Sequence, residues 1–360
     1  MMNNIISFFE ESYGYSPTAT AKAPGRGNLI GEHTDYNMGF IMPFALKQSA
    51  KIAIAINKDA PMGELRFIST YDKKMLQAQA SQKPQEKWID YLVGSIQIFA
   101  QEKNIAIPAL DIALDSDVPL GAGVSSSAAL EVCMLRALRT LLKIELSDLD
   151  IAILARKAEN EYVGMPCGIM DQMASSICQY GEVLFIDTQD LSFEHVKIPE
   201  GYTIAVVPSG YSHALVDGAY ETIHKQCMDA AKALGVKSLR KVHVDELDRV
   251  MAIAEPLNRR AKHIITENQR VLDMKQALAD KDMATIGKII TEGHISERDD
   301  FEITIAETDA LVEDMIKCGA LGARQIGGGF GGSCIALVKT KDIDNWWQQV
   351  HNLHPKSSLI

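Results

Sequence analysis

Apolar positions recur along this chain with two different periods, and the switches between them mark out its elements. Residues 5–13 carry them at helical spacing, so a short amphipathic helix is expected there. Ala19-Thr20-Ala21-Lys22-Ala23 reads as a strand leading into a glycine-punctuated segment. Phe40-Ile41-Met42-Pro43 and Lys51-Ile52-Ala53-Ile54-Ala55-Ile56 read as strands, the second with the apolar run of a buried one. Another strand is expected over 65–69. From Trp88 to Ala100 the spacing turns helical, with Trp88, Tyr91, Leu92, Ile96 and Phe99 on one face, and 110–114 returns to strand.

The second half reads more helically. A long helix is expected over 126–142, and the next begins at Ser147, an N-cap with Asp150 three residues on. That helix carries Ala158-Glu159-Asn160-Glu161-Tyr162 near its end, before Pro166-Cys167-Gly168 breaks the chain and residues 169–174 open another. Strands are expected at 183–187 and 203–208, with helix dominating 220–280 and helices at 283–296 and 303–318. Residues 322–325 and 334–340 read as two strands around a tight connection. At 360 residues the chain is long for one core, so two lobes are expected, 1–195 and 196–360, parting near 190–205.

Charge narrows the partners. Lys plus Arg number 36 against 47 Asp plus Glu, a net −11 with no sustained basic run, so nucleic acid and anionic membrane are poor partners. The six cysteines are dispersed without a C-x-x-C pair, so neither a zinc site nor a disulfide framework is expected. Residues 1–14 lack the basic start and unbroken apolar core of a signal peptide, and no window approaches the ~18 to 20 apolar residues of a membrane span. The expectation is a reduced, cytoplasmic, soluble protein. Its oligomeric state stays open, a monomer among the readings.

Three segments put glycines beside the residues that phosphate chemistry uses. In Gly121-Ala122-Gly123-Val124-Ser125-Ser126-Ser127, glycines run into three hydroxyls at the start of a helix, whose free N–H groups and dipole suit an anion. A serine hydroxyl there can reach Mg²⁺. No lysine follows the last glycine, so this is not the G-x-x-x-x-G-K-[ST] loop, and a plain glycine turn with a good N-cap would look similar. Upstream, Arg26, Glu32, His33 and Asp35 fall within ten residues among Gly25, Gly27, Gly31 and Gly39. So many acceptors suit a polyhydroxyl ligand, the alternative being a polar loop in which Arg26 and Asp35 simply pair. His33 lacks the H-E-x-x-H context of a metal ligand. The third run, Gly327-Gly328-Gly329-Phe330-Gly331-Gly332, reads either as a hairpin loop or as a backbone wall against a ligand.

Asp171 opens a helix, where dipole and free amides stabilise its anion. From spacing alone a charge cap is the simpler reading. As a functional group it would accept the proton of an attacking hydroxyl, since loose phosphoryl transfer asks more for positioning than for a strong base. Glu159 would supply a second oxygen to Mg²⁺, but spacing does not separate it from Glu161.

Together these segments resemble the GHMP sugar and metabolite kinases and, within them, the galactokinases. The stretch Gly25-Arg26-Gly27-Asn28-Leu29-Ile30-Gly31-Glu32-His33-Thr34-Asp35-Tyr36-Asn37 is similar to the galactokinase signature. Residues 121–127, Cys167-Gly168-Ile169-Met170-Asp171-Gln172, Arg298-Asp299-Asp300-Phe301-Glu302-Ile303-Thr304 and 327–332 resemble further blocks in the right order, so the likeness runs from about 20 to 340. It implies an α+β, two-lobed GHMP kinase fold with ATP and sugar in the cleft between lobes. The implied reaction is ATP-dependent phosphorylation of the C1 hydroxyl of α-D-galactose, with Mg²⁺ as cofactor.

By the same resemblance Asp171 and Arg26 are the catalytic pair, Arg26 keeping Asp171 ionised and stabilising charge on the moving phosphoryl group. Glu32, His33, Thr34, Asp35, Gly168 and Tyr220 match substrate-binding positions. Gly121, Ala122, Gly123, Val124, Ser125, Ser126 and Ser127 match the ATP loop, Trp88 an aromatic near the adenine, and Ser127 and Glu159 the metal positions.

The chain also departs from the pattern. Gly27 stands where the family usually has Val or Ile, and Met38 where it has a small or acidic residue. Gln325-Ile326 replaces Met-Thr, and Ile223-His224 replaces a basic pair. It ends at Ile360 without the usual final strand in Lys-Pro-Ser, and the polar tail 351–360 does not resemble a replacement. Either another segment fills that place or the sheet edge is left shorter. Two other activities fit the same motifs: a kinase for a related sugar (N-acetylgalactosamine, galacturonate or arabinose), and a galactose sensor that binds without turnover. Ser125-Ser126-Ser127-Ala128-Ala129, Arg26 and Asp171 are all intact, which disfavours the sensor.

Overall fold

The computed structural model describes residues 2–212 and 218–360. In chain order these begin with α1 (Met2–Tyr13), β1 (Ala19–Asn28), β2 (Phe40–Ile41), β3 (Pro43–Ile56), β4 (Glu64–Ser69), β5 (Leu76–Gln79), α2 (Ile89–Lys103) and β6 (Leu110–Ser116). Next come α3 (Ser126–Leu142), α4 (Asp148–Lys157), α5 (Met170–Ile177), β7 (Glu182–Asp187), β8 (Ser192–Lys197) and β9 (Tyr202–Ser212). The remainder is α6 (Ala219–Ala233), α7 (Leu247–Met251), α8 (Leu257–Asp280), α9 (Met283–Ser296), α10 (Ala306–Lys317), β10 (Gly322–Ile326), β11 (Gly331–Lys339) and α11 (Ile343–Leu353).

These elements form two compact units, each drawn from separate stretches of sequence. The first takes residues up to Arg26, then Leu46–Pro119 and Ser125–Ile177; the second takes Gly27–Ala45, Leu120–Val124 and Cys178–Ile360.

In the first unit, β6 pairs antiparallel with β3 through residues 50–56 and parallel with β4, and β4 pairs antiparallel with β5. The apolar run of β3 is buried almost throughout, as an inner strand requires. Ile5 and Phe9, one helical turn apart on α1, pack on Ala53, Ala55, Ile68 and Ala113. The start of α4 is a reciprocal cap: Ser147 Oγ accepts from the Asp150 amide at 3.0 Å, and the Ser147 amide donates to the Asp150 carboxylate at 3.1 Å. Such a cap stabilises its helix by about 1 kcal/mol.

In the second unit, β7 pairs antiparallel with β2 and β8, and a separate three-stranded antiparallel sheet runs β10-β11-β9. One core gathers Ile223, Cys227, Ile264 and Phe301, a second Val207, Leu311, Met315, Cys334 and Trp346.

Several expectations shift. β1 does not stop before the glycine segment but continues to Asn28, so Gly25 to Asn28 are strand. Residues 303–305 are not helical, because the chain leaves a π-helical turn at 297–301 through Glu302 in the left-handed region (φ 58°). The polar tail does line a sheet edge: the amides of Ser358 and Ile360 donate to the carbonyls of Pro208 and Val206 on β9, at 3.2 and 3.1 Å. Its side chains gave no strand signal because the pairing uses main chain alone. No helix of the described residues is long and apolar enough to cross a membrane.

Candidate active site

Two side chains of the first unit converge on the carboxylate of a third residue. Arg26 Nε donates to Asp171 Oδ1 at 2.8 Å and Nη2 to Oδ2 at 3.1 Å, a bidentate pair. The Arg26 side chain is 5% exposed and that of Asp171 30%, so the cation is anchored and the carboxylate still reaches solvent. Ser125 Oγ also donates to Asp171 Oδ2. Ser125 precedes α3 in the left-handed region (φ 57°) and its side chain does not cap that helix. The hydroxyl goes to Asp171 instead, leaving the helix N-terminus without a side-chain cap.

Beside this trio lies a buried acidic cluster. Glu159 sits in a π-helical turn at 158–163 and hydrogen-bonds the Ser127 hydroxyl, whereas Glu161 is exposed. Burial, and next the charge of Asp171, push the Glu159 carboxyl up from 4.5 to about 7. Gln172 Nε2 donates to Glu159 Oε2 at 2.5 Å and lies 3.4 Å from Glu131 Oε2. Glu131 is fully buried, which pushes its carboxyl well up and favours the protonated form, with Glu159 adding to the effect. Neither Glu131 Oε1 nor Gln172 Oε1 has a hydrogen-bond partner. Among the described residues no group of three or more His, Cys, Asp or Glu is arranged to hold a metal. Two hard oxygens, from Ser127 and Glu159, nevertheless fit Mg²⁺, which takes few protein ligands and completes its shell with phosphate and water.

Gly168 is buried in this unit, three residues before Asp171. Trp88 is partly buried at the N-terminal end of α2, edge-on to Phe67 at 6.3 Å.

Ser126 is the first residue of α3 in the same unit, and the other predicted residues belong to the second unit. Glu32 is fully buried; one carboxylate oxygen accepts from Asn28 Nδ2 at 2.8 Å and the other from the Gly327 amide at 3.0 Å. His33 is left-handed (φ 60°), with Nδ1 2.7 Å from the Tyr36 hydroxyl and Tyr220 and Phe301 rings 5.3 and 5.0 Å away. Burial lowers His33 to about 4, against a backbone hydrogen bond at Gly328, so its ring is neutral at pH 7. Asp35 Oδ1 accepts from the next amide, of Tyr36. The Thr34 hydroxyl turns to main chain, within 2.9 and 2.6 Å of the Gly31 and Phe40 carbonyls.

The phosphate-loop glycines Gly121 and Gly123 are both left-handed (φ 70° and 71°). Residues 120–124 meet the third glycine run backbone to backbone: a Cβ on Gly123 would lie 3.9 Å from Gly332 Cα, and Ser333 Oγ donates to Ala122 O at 2.6 Å. Two departures from the family pattern also find partners. Gln325 accepts from Thr308 Oγ1 and donates to Ile303 O. Gly27 lies under Phe44, whose ring carbons come within 2.8 Å of where a Cβ would be.

Sequence reasoning missed Glu131, Gln172 and a buried set of Glu267, Arg324 and Glu297 behind the Glu32 segment. Glu131 had a signal: it lies four residues after Ser127, on the same helix face. Glu267 and Arg324 had none, since their partners are remote in the chain.

Comparison with known proteins identifies the family. The family models for the GHMP kinases N terminal domain and the GHMP kinases C terminal match residues 90–179 and 274–353, which defines the class as GHMP kinase. The galactokinase galactose-binding signature matches residues 7–56. A galactokinase of Actinobacillus pleuropneumoniae serotype 3 is 40% identical, covering 98% of this chain and 93% of the relative. That of Glaesserella parasuis serovar 5 is 39% identical, over 93% and 89%. The Lactococcus lactis galactokinase solved with galactose superposes with a TM-score of 0.93 at 26% identity, covering 100% of this chain and 97% of that one. A mevalonate kinase, 18% identical with a TM-score of 0.71 over 95% and 98%, shares the fold. The chain belongs to the galactokinase family, and it is a sugar kinase.

Proposed function

We propose that Asp171 and the residues around it transfer the γ-phosphoryl group of ATP to the C1 hydroxyl of α-D-galactose, each in a distinct role. The carboxylate of Asp171, held by Arg26 and Ser125, is the observation that carries this reading. Asp171 orients the hydroxyl and receives its proton as O1 bonds to the γ-phosphorus. The bond to the bridging oxygen breaks and ADP leaves with that electron pair. Arg26 balances the charge on Asp171 and on the moving group.

Neutral His33 offers a donor and an acceptor rather than a charge. With Glu32, Asp35 and Tyr220 it supplies the sugar contacts of the second unit, while Thr34 braces their loop; Gly168 is the sugar contact read in the first unit. Residues 121–127 and the uncapped start of α3 bind the nucleotide phosphates, and Trp88 lies by the base. Ser127 and Glu159 would hold Mg²⁺, which supplies charge neutralisation on the phosphates. The sensor alternative loses ground, because an intact Arg26–Asp171 pair suits turnover.

ADP release with Mg-ATP, measured against galactose and a panel of related sugars, tests the reading. Fast, galactose-selective turnover is expected; turnover only with another sugar would move the specificity, and none would sink the kinase role. Arg26→Ala should lower kcat by about 10² or more with a smaller change in KM. A change in KM alone would demote Arg26 to a binding residue.

Glu159 makes a pH prediction. Between 4.5 and about 7 the folded state keeps a proton that the unfolded chain has released. This group therefore makes stability fall as pH rises through that window. Mg²⁺ needs the ionised carboxylate. The rise in Tm that Mg²⁺ adds to that from a non-hydrolysable ATP analogue should accordingly be larger at pH 8 than at pH 5.5. Equal increments, read by scanning fluorimetry, would argue against Glu159 as a metal ligand.

A further inference from the structure

One face of α8 is turned toward the main chain of the Glu32–His33 segment. Glu267 Oε1 lies 2.9 Å from the Gly31 amide and 3.3 Å from the Glu32 amide, accepting from both. One turn earlier, His263 Nε2 lies 3.3 Å from the Glu32 carbonyl, and the neighbouring Asn268 Oδ1 accepts from the Phe40 amide at 2.9 Å. Val271, one turn later, closes against Gly31, where a Cβ would come within 3.1 Å of its methyl and 2.7 Å of the Phe40 carbonyl. Positions 263, 267, 268 and 271 fall on one side of a helix. Three of them satisfy buried peptide groups of residues 31, 32 and 40, and the fourth sets how closely the chain approaches.

Glu267 is fully buried, and so is Arg324, which donates to Glu267 Oε1 at 2.8 Å and to Glu297 Oε1 at 2.7 Å. Arg270 Nε donates to the other Glu267 oxygen at 2.6 Å. Burial opposes the charge on Glu267, but Arg324 and Arg270 outweigh it and hold the carboxyl well below the usual range. The segment thus hangs on an ionised acceptor that is itself fixed on two sides.

We infer that Glu267 is a positioning residue for sugar binding: by anchoring the Gly31 and Glu32 amides it sets the placement of the Glu32 and His33 side chains. It touches no substrate and acts only through that loop. The inference rests on the reading of Glu32 and His33 as sugar contacts.

The test compares Glu267→Leu, which removes the acceptor, with Glu267→Gln, which keeps one oxygen for the amides but loses the charge. Glu297→Gln serves as a control, weakening the other partner of Arg324 without touching a loop amide. For Glu267→Leu the galactose KM should rise about tenfold while the ATP KM stays within about twofold, and Glu267→Gln should recover part of that loss. Glu297→Gln should lower Tm with the galactose KM unmoved. A galactose KM unchanged in folded Glu267→Leu, or galactose and ATP KM rising together, would overturn the inference. If Glu267→Leu fails to fold, Glu267→Gln decides by the same split. Failure of both to fold would make Glu267 a folding residue and overturn it too. A wild type that binds ATP but does not phosphorylate galactose would instead strike the sugar reading beneath.

Discussion

Asp171→Asn is expected to lower kcat by about 10³ or more while leaving the KM values for galactose and ATP within a few fold. An amide neither takes the proton nor carries the charge that Arg26 is built around. The substitution also changes the local balance, because Arg26 is almost wholly buried and donates to both Asp171 oxygens. Asn offers one oxygen to Arg26 Nε and turns its amino group toward Arg26 Nη2 and the Ser125 hydroxyl. The buried guanidinium then loses the charge of Asp171, so Tm should drop as well. Recording kcat well below the unfolding temperature separates the two effects. A folded variant with near-normal kcat would remove Asp171 from the chemistry and leave it as a structural partner of Arg26.

The second large effect is expected at Gly27, which immediately follows Arg26. A Cβ there would stand within 2.8 Å of three carbons of the Phe44 ring, Cζ the nearest. Phe44 is buried, so its ring has little freedom to move aside. Gly27→Val, which restores the residue type usual in the family, should therefore destabilise this chain by about 2 to 3 kcal/mol. Because β1 would have to shift to admit the side chain, kcat should fall too through the displacement of Arg26. Phe44→Ala alone opens a cavity at a cost of about 3 to 5 kcal/mol. The double variant should recover part of both losses, with a coupling of at least about 1 kcal/mol in a double-mutant cycle of chemical unfolding. Additive losses would show that Phe44 does not occupy the missing side chain's place. The departure at Gly27 then reads as half of an exchange of volume between two positions, rather than as a change aimed at the sugar.

How far the molecule could be read in advance depended on how local each feature is. Helix α3 begins and ends at the residues its spacing indicates, and the cap at Ser147 and Asp150 forms as its motif implies. In these cases the deciding interactions lie within about one turn. The strand that carries Gly25 to Asn28 was less legible. Glycines speak for a loop unless a remote side chain, in this fold Phe44, covers the space they leave.

The site divides in the same way. Arg26 and Asp171 were singled out by motif, but their contact spans 145 residues and only folding makes it. The Ser125 hydroxyl belongs by motif to the nucleotide loop, and the fold turns it to Asp171. Glu267 reaches Gly31 across 236 residues and carried no signal at all. The two units are discontinuous for the same reason: residues 27–45 and 120–124 join a body formed mainly by 178–360.

By itself, then, the sequence determined most of the elements and the family, since propensity, capping and motif spacing act over a few neighbouring residues. Which buried polar group satisfies which other, and what fills the space above a glycine, was decided only by the tertiary structure. Those choices depend on atoms brought together from distant parts of the chain, where a hydrogen bond or a void is worth more than any local preference.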